Sequence, residues 1–355
     1  MTVPSDTAHV DPSTVDLNAL GAWMDQQALP AAKIEDVTPL GGGTQNIMLR
    51  FARGPRTYVL RRGPKHLRAK SNDAIRREAV VLTALADTDV PAPRVVASCP
   101  DEDVLGAAFY LMEPVDGYNA ATTLPEPFVS DAALRHEMGL QAVTALATVG
   151  AVDHVAVGLS DIGHPAGFLE RQVPRWLSEL ESYDAHDGYP GAQLPHLDEV
   201  ASWLEAHRPT TFEPGIMHGD FHLANLMYAF DGPYVAAIVD WEMCTIGDPL
   251  LDLGWLVATW PVDDTGMGAQ SVLGHAGGLP ATAELIEHYA QRSSRDLSSM
   301  PWYAALACFK LAIILEGTYA RSFAGKAPVS IGEYLHRVTI DLFERAHRII
   351  TEGLS

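Results

Sequence analysis

Two short stretches of the chain carry residue types that can run a reaction together. His218-Gly219-Asp220-Phe221-His222-Leu223-Ala224-Asn225 sets a carboxylate and a primary amide in the pattern Asp-x-x-x-x-Asn, and Ile238-Val239-Asp240-Trp241-Glu242 adds two more carboxylates downstream. That spacing is one that phosphoryl transfer uses. Asp220 has the type needed to orient a substrate hydroxyl and accept its proton. A neutral amide, Asn225, holds Mg²⁺ nearby without adding a competing base, and Asp240 completes the metal site. Mg²⁺ takes one or two protein oxygens besides phosphate and water, so Asn225 and Asp240 suffice. Glu242 joins through a water or serves a second ion. A Gly-Asp pair alone is a common loop turn. The whole constellation, with a hairpin signal between the two acids, points instead to catalysis.

The elements that must position these residues follow from periodicity and punctuation. Residues 13–29 read as an amphipathic helix with Ser13 or Thr14 as N-cap and Pro30 beyond its end. Asn46–Ala52 and Thr57–Arg61 are β-rich and flank Arg53-Gly54-Pro55-Arg56, a hairpin signal preceded by a glycine-rich turn. Residues 72–86 have helical periodicity, stopped by Pro91 and Pro93, and Val95–Ser98 and Ala107–Met112 read as strands. Beyond a hinge at 113–117 the chain is mostly helical, with helices expected over 131–148, 166–183, 196–207, 281–293, 300–324 and 331–351. Leu226–Ala229 and Val235–Val239 form a second hairpin signal around Asp231-Gly232. The expected fold class is α+β, with a small antiparallel strand-rich lobe over 1–113 and a larger helical lobe over 114–355.

Charge divides at the same place. Up to Glu113 there are 14 acids and 12 bases, and from Pro114 onward 31 acids and 12 bases. Ten of the bases fall between Arg50 and Arg77, interrupted only by Asp73. This is either a solvated basic face or a basic lobe that meets an anionic ligand. A net charge of −21 excludes nucleic acid and anionic membrane as main partners. Three cysteines, Cys99, Cys244 and Cys308, are too few for a disulfide framework and lack metal-ligand spacing, which suggests a reducing, cytoplasmic setting. The first residues lack the basic and apolar regions of a signal peptide, and no uninterrupted apolar run has membrane-spanning length. His154, His164, His186 and His196 show no zinc spacing, and no Gly-x-Ser-x-Gly supports a serine hydrolase.

From about Val37 to about Gly325 the chain resembles the aminoglycoside phosphotransferase and choline kinase superfamily, small-molecule relatives of protein kinases. The resemblance rests on His218-Gly219-Asp220 with Asn225 and on Asp240-Trp241-Glu242. It narrows to a branch similar to the kinase portion of acyl-CoA dehydrogenase fusion proteins. The residues that carry this branch include Tyr58-Val59-Leu60-Arg61-Arg62, Val90-Pro91-Ala92-Pro93, Arg171-Gln172-Val173-Pro174-Arg175-Trp176 and Gly247-Asp248-Pro249-Leu250-Leu251-Asp252-Leu253-Gly254-Trp255. The resemblance implies a bilobal protein-kinase-like fold that binds ATP. Asp220 matches the catalytic base, Asn225 and Asp240 the two metal ligands, and His218 a structural histidine bracing the loop.

Other assignments follow from the resemblance. Gly41, Gly42, Gly43, Thr44 and Asn46 fall at the phosphate-covering loop, where glycine permits close backbone approach. Arg61 stands where protein kinases carry a phosphate-pairing lysine, and Arg62 is the neighbouring candidate. Strand alternation sends the two to opposite faces. Glu78 is either the partner of that arginine or a surface helix acid. Met112, Glu113 and Val115 would offer backbone groups to adenine. Asp252 either buttresses the catalytic loop or is a helix-start acid. Arg171, Arg175 and Trp176 form either an acceptor-side wall or an ordinary amphipathic helix, and His222 either packs within the loop or meets substrate. Trp203, Trp255, Trp260 and Trp302 read as core.

The expected activity is ATP- and Mg²⁺-dependent transfer of phosphate to the hydroxyl of a small molecule. Two arginines on the acceptor side suit an anionic acceptor bearing a carboxylate or phosphate, while the acidic lobe suits a cationic one. The branch resemblance implies a hydroxyacyl-CoA or hydroxy acid, and the superfamily resemblance an aminoglycoside. Eleven residues between Asp240 and Asp252 are too few for a peptide-docking activation segment. The remaining alternatives are a nucleotide-binding pseudokinase acting as a sensor and, more remotely, a metal-dependent hydrolase.

Overall fold

The computed structural model describes residues 14–41, 46–64, 70–261 and 271–354. The chain divides into two compact units, Met1–Asp116 with Ala236–Cys244, and Gly117–Val235 with Thr245–Ser355. This division departs from the boundary read from charge, because the segment bearing Asp240 and Glu242 belongs to the first unit. Its backbone is fastened there: Ile238 N–H donates to the Pro91 carbonyl (2.7 Å) and Arg77 Nε donates to the Cys244 carbonyl (3.1 Å).

The first unit contains α1 (Leu17–Gln26), β1 (Ile34–Pro39), β2 (Ile47–Arg53), β3 (Arg56–Arg62), α2 (Ser71–Leu85), β4 (Val95–Cys99) and β5 (Phe109–Met112). Its five strands form one antiparallel sheet in the order β1-β2-β3-β5-β4. The β2–β3 register, from Ile47↔Arg62 to Arg53↔Arg56, is set by a two-residue turn in which Gly54 takes a φ of +59°. β1 was not expected from the sequence, since Glu35, Asp36 and Pro39 dilute its β signal and it lies at the sheet edge. Leu49, Phe51, Leu60, Phe109 and Leu111 pack with Leu20, Trp23 and Met24 of α1 into one core. The N-cap of α1 is Asp16, not Ser13 or Thr14: its carboxylate accepts from Asn18 N–H and Ala19 N–H, while Ser13 lies outside the described residues.

In the second unit come β6 (Tyr118–Asn119), α3 (Ala132–Ala151), α4 (Gln172–Ser182), α5 (Leu197–Ala206), β7 (Gly215–Met217), β8 (Leu226–Tyr228), β9 (Val235–Ile238, which runs on into the first unit), β10 (Thr245–Gly247), α6 (Leu250–Thr259), α7 (Val272–Ala276), α8 (Thr282–Ala290), α9 (Met300–Phe323) and α10 (Val329–Glu352). α4 starts six residues later than its periodicity suggests. Gly167 at φ +63° breaks the path before it, and Pro174, which cannot donate to a preceding turn, falls in the first turn. β7 and β10 pair antiparallel with Met217 opposite Thr245, and β6 pairs with β8. These short pairs hold the two ends of the 218–225 loop. α9 is long and apolar enough by composition to cross a membrane, contrary to the reading of the sequence by uninterrupted runs. Lys310 and Glu316 interrupt it, and its apolar window is 78% buried, mainly against α6 and α10.

Candidate active site

In the first unit, α2 places a carboxylate on its own apolar stripe. Ile75, Glu78, Leu82 and Leu85 recur at helical spacing, and all four are buried. Glu78 is therefore not a surface acid: it is 1% exposed. Its Oε2 lies 2.8 Å from Arg61 Nε of β3, an ion pair in contact rather than a well-aligned hydrogen bond, and its Oε1 accepts from Trp241 N–H at 3.0 Å. Arg61 Nη2 reaches Asp240 Oδ1 at 2.6 Å and stands 3.9 Å from Glu242 Oε2. One guanidinium thus gathers three carboxylates. Burial alone would lower the Arg61 pKa, but Glu78, Tyr110 and Asp240 more than reverse this, so the arginine stays charged. Burial also raises Glu78, to about 7, against the pull of Arg61.

Asp240 has a φ of +68°, a left-handed backbone that non-glycine residues seldom adopt. The Glu78 bond to the next amide and the Arg61 bond to its side chain hold it there. Arg62 points the other way, donating to the Leu105 carbonyl at 2.7 Å and to the Gly63 carbonyl at 3.0 Å. The choice between the two arginines falls to Arg61.

In the second unit, the loop after β7 is braced from α6. Asp252 Oδ2 accepts from His218 N–H (2.6 Å) and Oδ1 accepts from Gly219 N–H (2.9 Å). Gly219 takes φ +87°, which turns the chain so that both amides face this one carboxylate. Complete burial raises Asp252 to about 6 while these amides act to lower it. His218 is fully buried, and its Nδ1 faces Asp220 N–H at 3.3 Å.

Asp220 is held through both oxygens. Trp255 Nε1 donates to Oδ1 at 3.0 Å, and His222 Nε2 lies 3.3 Å from Oδ2. The Asn225 amide nitrogen donates to the Asp220 carbonyl at 2.9 Å and to Oδ2 at 3.2 Å. These bonds leave the Asn225 carbonyl oxygen as the group able to meet a cation. Burial would raise the Asp220 carboxyl. The hydrogen bond and charge of His222, with His218 and Lys310, outweigh it and hold the group at about 2.

Lys310 and Trp255 are functional candidates that the sequence reading missed. Lys310 Nζ donates to the Gly219 carbonyl at 3.3 Å and lies 4.3 Å from the Trp255 ring centroid and 5.6 Å from that of Trp176. Burial lowers its pKa, opposed by Asp252 and Asp220. A lone lysine inside the long apolar run of residues 300–315 was the available signal. Trp255 is buried, but as the donor to Asp220 it is more than core.

The other singled-out residues divide. Trp176 lies in this cluster, buried, with an indole N–H that has no protein acceptor among the described residues. The Arg175 guanidinium also lies over this ring, 5.3 Å from its centroid. Arg171 is drawn into its own loop, donating to the carbonyls of His164 (2.6 Å) and Ala166, so it does not join Arg175 in a wall. Glu113 N–H donates to the Arg94 carbonyl at 2.9 Å and is not available to adenine. Met112 is buried in β5, opposite Val59 and Val95. Val115, half-buried beyond Pro114, keeps a backbone N–H with no protein acceptor among the described residues. Gly41 and Asn46 bracket the glycine-rich loop, exposed and half-buried respectively, whereas Gly42, Gly43 and Thr44 lie outside the described residues.

Comparison with known proteins identifies relatives of the chain as a whole. Acyl-CoA dehydrogenase family member 11 of Rattus norvegicus is 31% identical over 336 residues, 92% of this chain and 42% of that protein, so the chain spans well under half of the relative's length. A solved structure from Ralstonia eutropha JMP134, named provisionally as an aminoglycoside phosphotransferase, is 31% identical with a TM-score of 0.77, covering 94% of this chain and 99% of that one. A ternary complex of aminoglycoside phosphotransferase APH(4)-Ia with ADP and hygromycin B shares the fold at a TM-score of 0.58 and 14% identity, covering 92% and 97%. The profile of the phosphotransferase enzyme family, APH, matches residues 36–300, three quarters of the sequence, and the chain belongs to that family.

Proposed function

We propose that the protein is an ATP- and Mg²⁺-dependent O-phosphotransferase acting on the hydroxyl of a small acidic metabolite, a hydroxyacyl-CoA or a hydroxy acid. The observation that carries this reading is the state of Asp220: an ionised carboxylate, held through both oxygens, beside an amide whose nitrogen is already engaged. A carboxylate at about 2 is a poor base for an alcohol. It suits an orienting role, in which the acceptor hydroxyl donates to Asp220 and its proton moves late, as a loose phosphoryl transition state requires.

The donor chemistry fits Mg²⁺. Asn225 Oδ1 in the second unit, and the second carboxylate oxygen of Asp240 with Glu242 in the first, are each hard oxygen donors of the kind that Mg²⁺ takes alongside water and phosphate. Bound Mg²⁺ would neutralise charge on the transferring phosphoryl group. Arg61 keeps a permanent positive charge beside Asp240, and Val115 offers the backbone donor for a nucleobase. Complexes of structural neighbours with ADP and with GDP support a nucleotide donor, and of the two bases we propose adenine.

Lys310 and the unengaged Trp176 N–H favour an anionic or hydroxyl-rich acceptor over a polycation. The similarity to acyl-CoA dehydrogenase family member 11 points to the same class. The test is a mass-spectrometric screen of hydroxyacyl-CoAs, hydroxy acids, choline-like alcohols and aminoglycosides with Mg²⁺-ATP, run beside Asp220→Asn. An Asp220-dependent gain of one phosphoryl group on a hydroxy acid or its thioester supports the proposal. Phosphorylation of aminoglycosides alone would overturn its acceptor class, and nucleotide binding without any turnover would favour a sensor.

A further inference from the structure

Helices α5 and α10 each present a histidine and a glutamate three positions apart, in opposite order. His196 is the residue before α5 and Glu199 lies in its first turn, while Glu344 and His347 lie on α10. That spacing puts each pair on one face, and the two helices pack together in the second unit. His196 Nδ1 is 3.4 Å from Glu199 Oε2, and His196 Nε2 is 3.6 Å from Glu344 Oε2. His347 Nε2 is 3.4 Å from Glu199 Oε1. One potential ligand atom from each of His196, Glu199 and His347 lies within 4.8 Å of the other two. None of these residues belongs to the candidate active site. The histidine spacings in the sequence do not reveal the group, because His196 and His347 are brought together only by the packing of α5 on α10.

We propose that His196, Glu199 and His347, supported by Glu344, form a binding site for one divalent transition-metal ion of the zinc class. Two imidazoles and a carboxylate are borderline donors that suit Zn²⁺, Co²⁺ or Ni²⁺, unlike the all-oxygen set proposed for Mg²⁺. His196 has a carboxylate facing each ring nitrogen. With Nδ1 ligating beside Glu199, Nε2 has Glu344 as its acceptor, the kind of arrangement that orients metal-binding histidines. The two rings stack with centroids 3.8 Å apart and planes 15° apart. Capture turns them edge-on, so that one nitrogen of each converges with Glu199. Both side chains have room for that turn, at 30% and 27% exposed. His196 makes no capping hydrogen bond and holds a left-handed φ of +56°, so helix capping does not explain its position. A groove lined by Ala192–Glu199 gives an ion a route in.

The full-length chain, stripped with chelator, is titrated with Zn²⁺ alone by calorimetry and with Co²⁺ by visible absorption. The expected result is one equivalent of zinc at micromolar concentration or below, with a Co²⁺ ligand-field band displaced by Zn²⁺. His347→Ala and His196→Asn, the latter chosen because asparagine tolerates the left-handed backbone, each weaken binding by at least about tenfold, as does Glu199→Gln. Asp240→Ala retains the zinc event, which separates it from the Mg²⁺ donors. Melting of the metal-free variants at the wild-type temperature shows that the fold is intact. No uptake below millimolar zinc, or uptake undiminished in the His196→Asn/His347→Ala double variant, overturns the proposal.

Discussion

In the first unit Asp240 and Glu78 are bound by one guanidinium, whereas in the second Asp220 is bound by an indole N–H, an imidazole and an amide, with a lysine ammonium close by. The difference concerns which partners can change. Arg61 cannot be deprotonated, is buried, and fixes the two acids as a rigid charged group. The partners of Asp220 are short-range hydrogen-bond donors that a substrate hydroxyl can join or replace. A cluster of the first kind holds a charge pattern steady, and one of the second kind leaves a carboxylate ionised yet receptive. Substitutions in the two clusters should therefore fail in different ways.

The largest effect is expected in the second unit. Asp220→Asn should lower turnover by about 10²-fold or more, the cost of a misplaced acceptor, with nucleotide affinity nearly unchanged by calorimetry. A parallel loss of nucleotide binding would break the distinction between the clusters. In the first unit the effect should be on stability. Arg61→Met leaves Glu78 buried without its counter-charge and should cost about 3–5 kcal/mol in urea unfolding. The double variant Arg61→Met/Glu78→Leu should recover most of it, because replacing both partners leaves no stranded charge.

Asp240→Ala should weaken Mg²⁺-nucleotide binding by about tenfold or more, by analogy with other lost metal-site groups, read as a shift in the Mg²⁺ dependence of nucleotide affinity. Trp255→Phe keeps the ring under Lys310 and removes only the donor to Asp220. The barrier should rise by about 1.5–3 kcal/mol, the net worth of one hydrogen bond to a charged group, measured as a fall in kcat with KM little changed.

The smallest effect is on acid stability. The Asp220 carboxyl is lowered from 3.8 to about 2 in the folded chain. A depressed carboxyl contributes stability above its unfolded pKa and loses it as pH falls through the folded one. The stability that wild type draws from this group should therefore fade between pH 3.8 and about 2, while Asp220→Asn has no such component. Melting temperatures of the two proteins across that interval sharpen the comparison, and parallel curves would remove Asp220 from the acid response.

Much of the site was legible because its residues are local in sequence. Asp220 and Asn225 share one loop, and one turn sets their spacing. The Glu78 contact was half-legible: the helix was evident, but burial on its apolar stripe needed β3 and the 236–244 segment to be in place. Lys310 and Trp255 were not legible as partners of Asp220. A lysine on a long apolar helix finds its role only from what packs over it, and 90 residues separate it from the loop it serves. Arg171 illustrates the converse. Its spacing from Arg175 suggested a shared face, yet the helix starts after it and the loop carbonyls take its guanidinium.

The sequence by itself determined the fold class, the antiparallel hairpin with its Gly54 turn, the helical second half, and the loop that carries Asp220 and Asn225. These depend on periodicity, turn residues and short spacings, all read within a few residues. Tertiary structure alone decided that Arg61 rather than Arg62 holds Asp240, that the 236–244 segment belongs with the first unit, that Trp255 donates to Asp220, and that His196 meets His347. Each of these depends on contacts between groups far apart in sequence, where burial removes water as the competing partner and a single geometry survives.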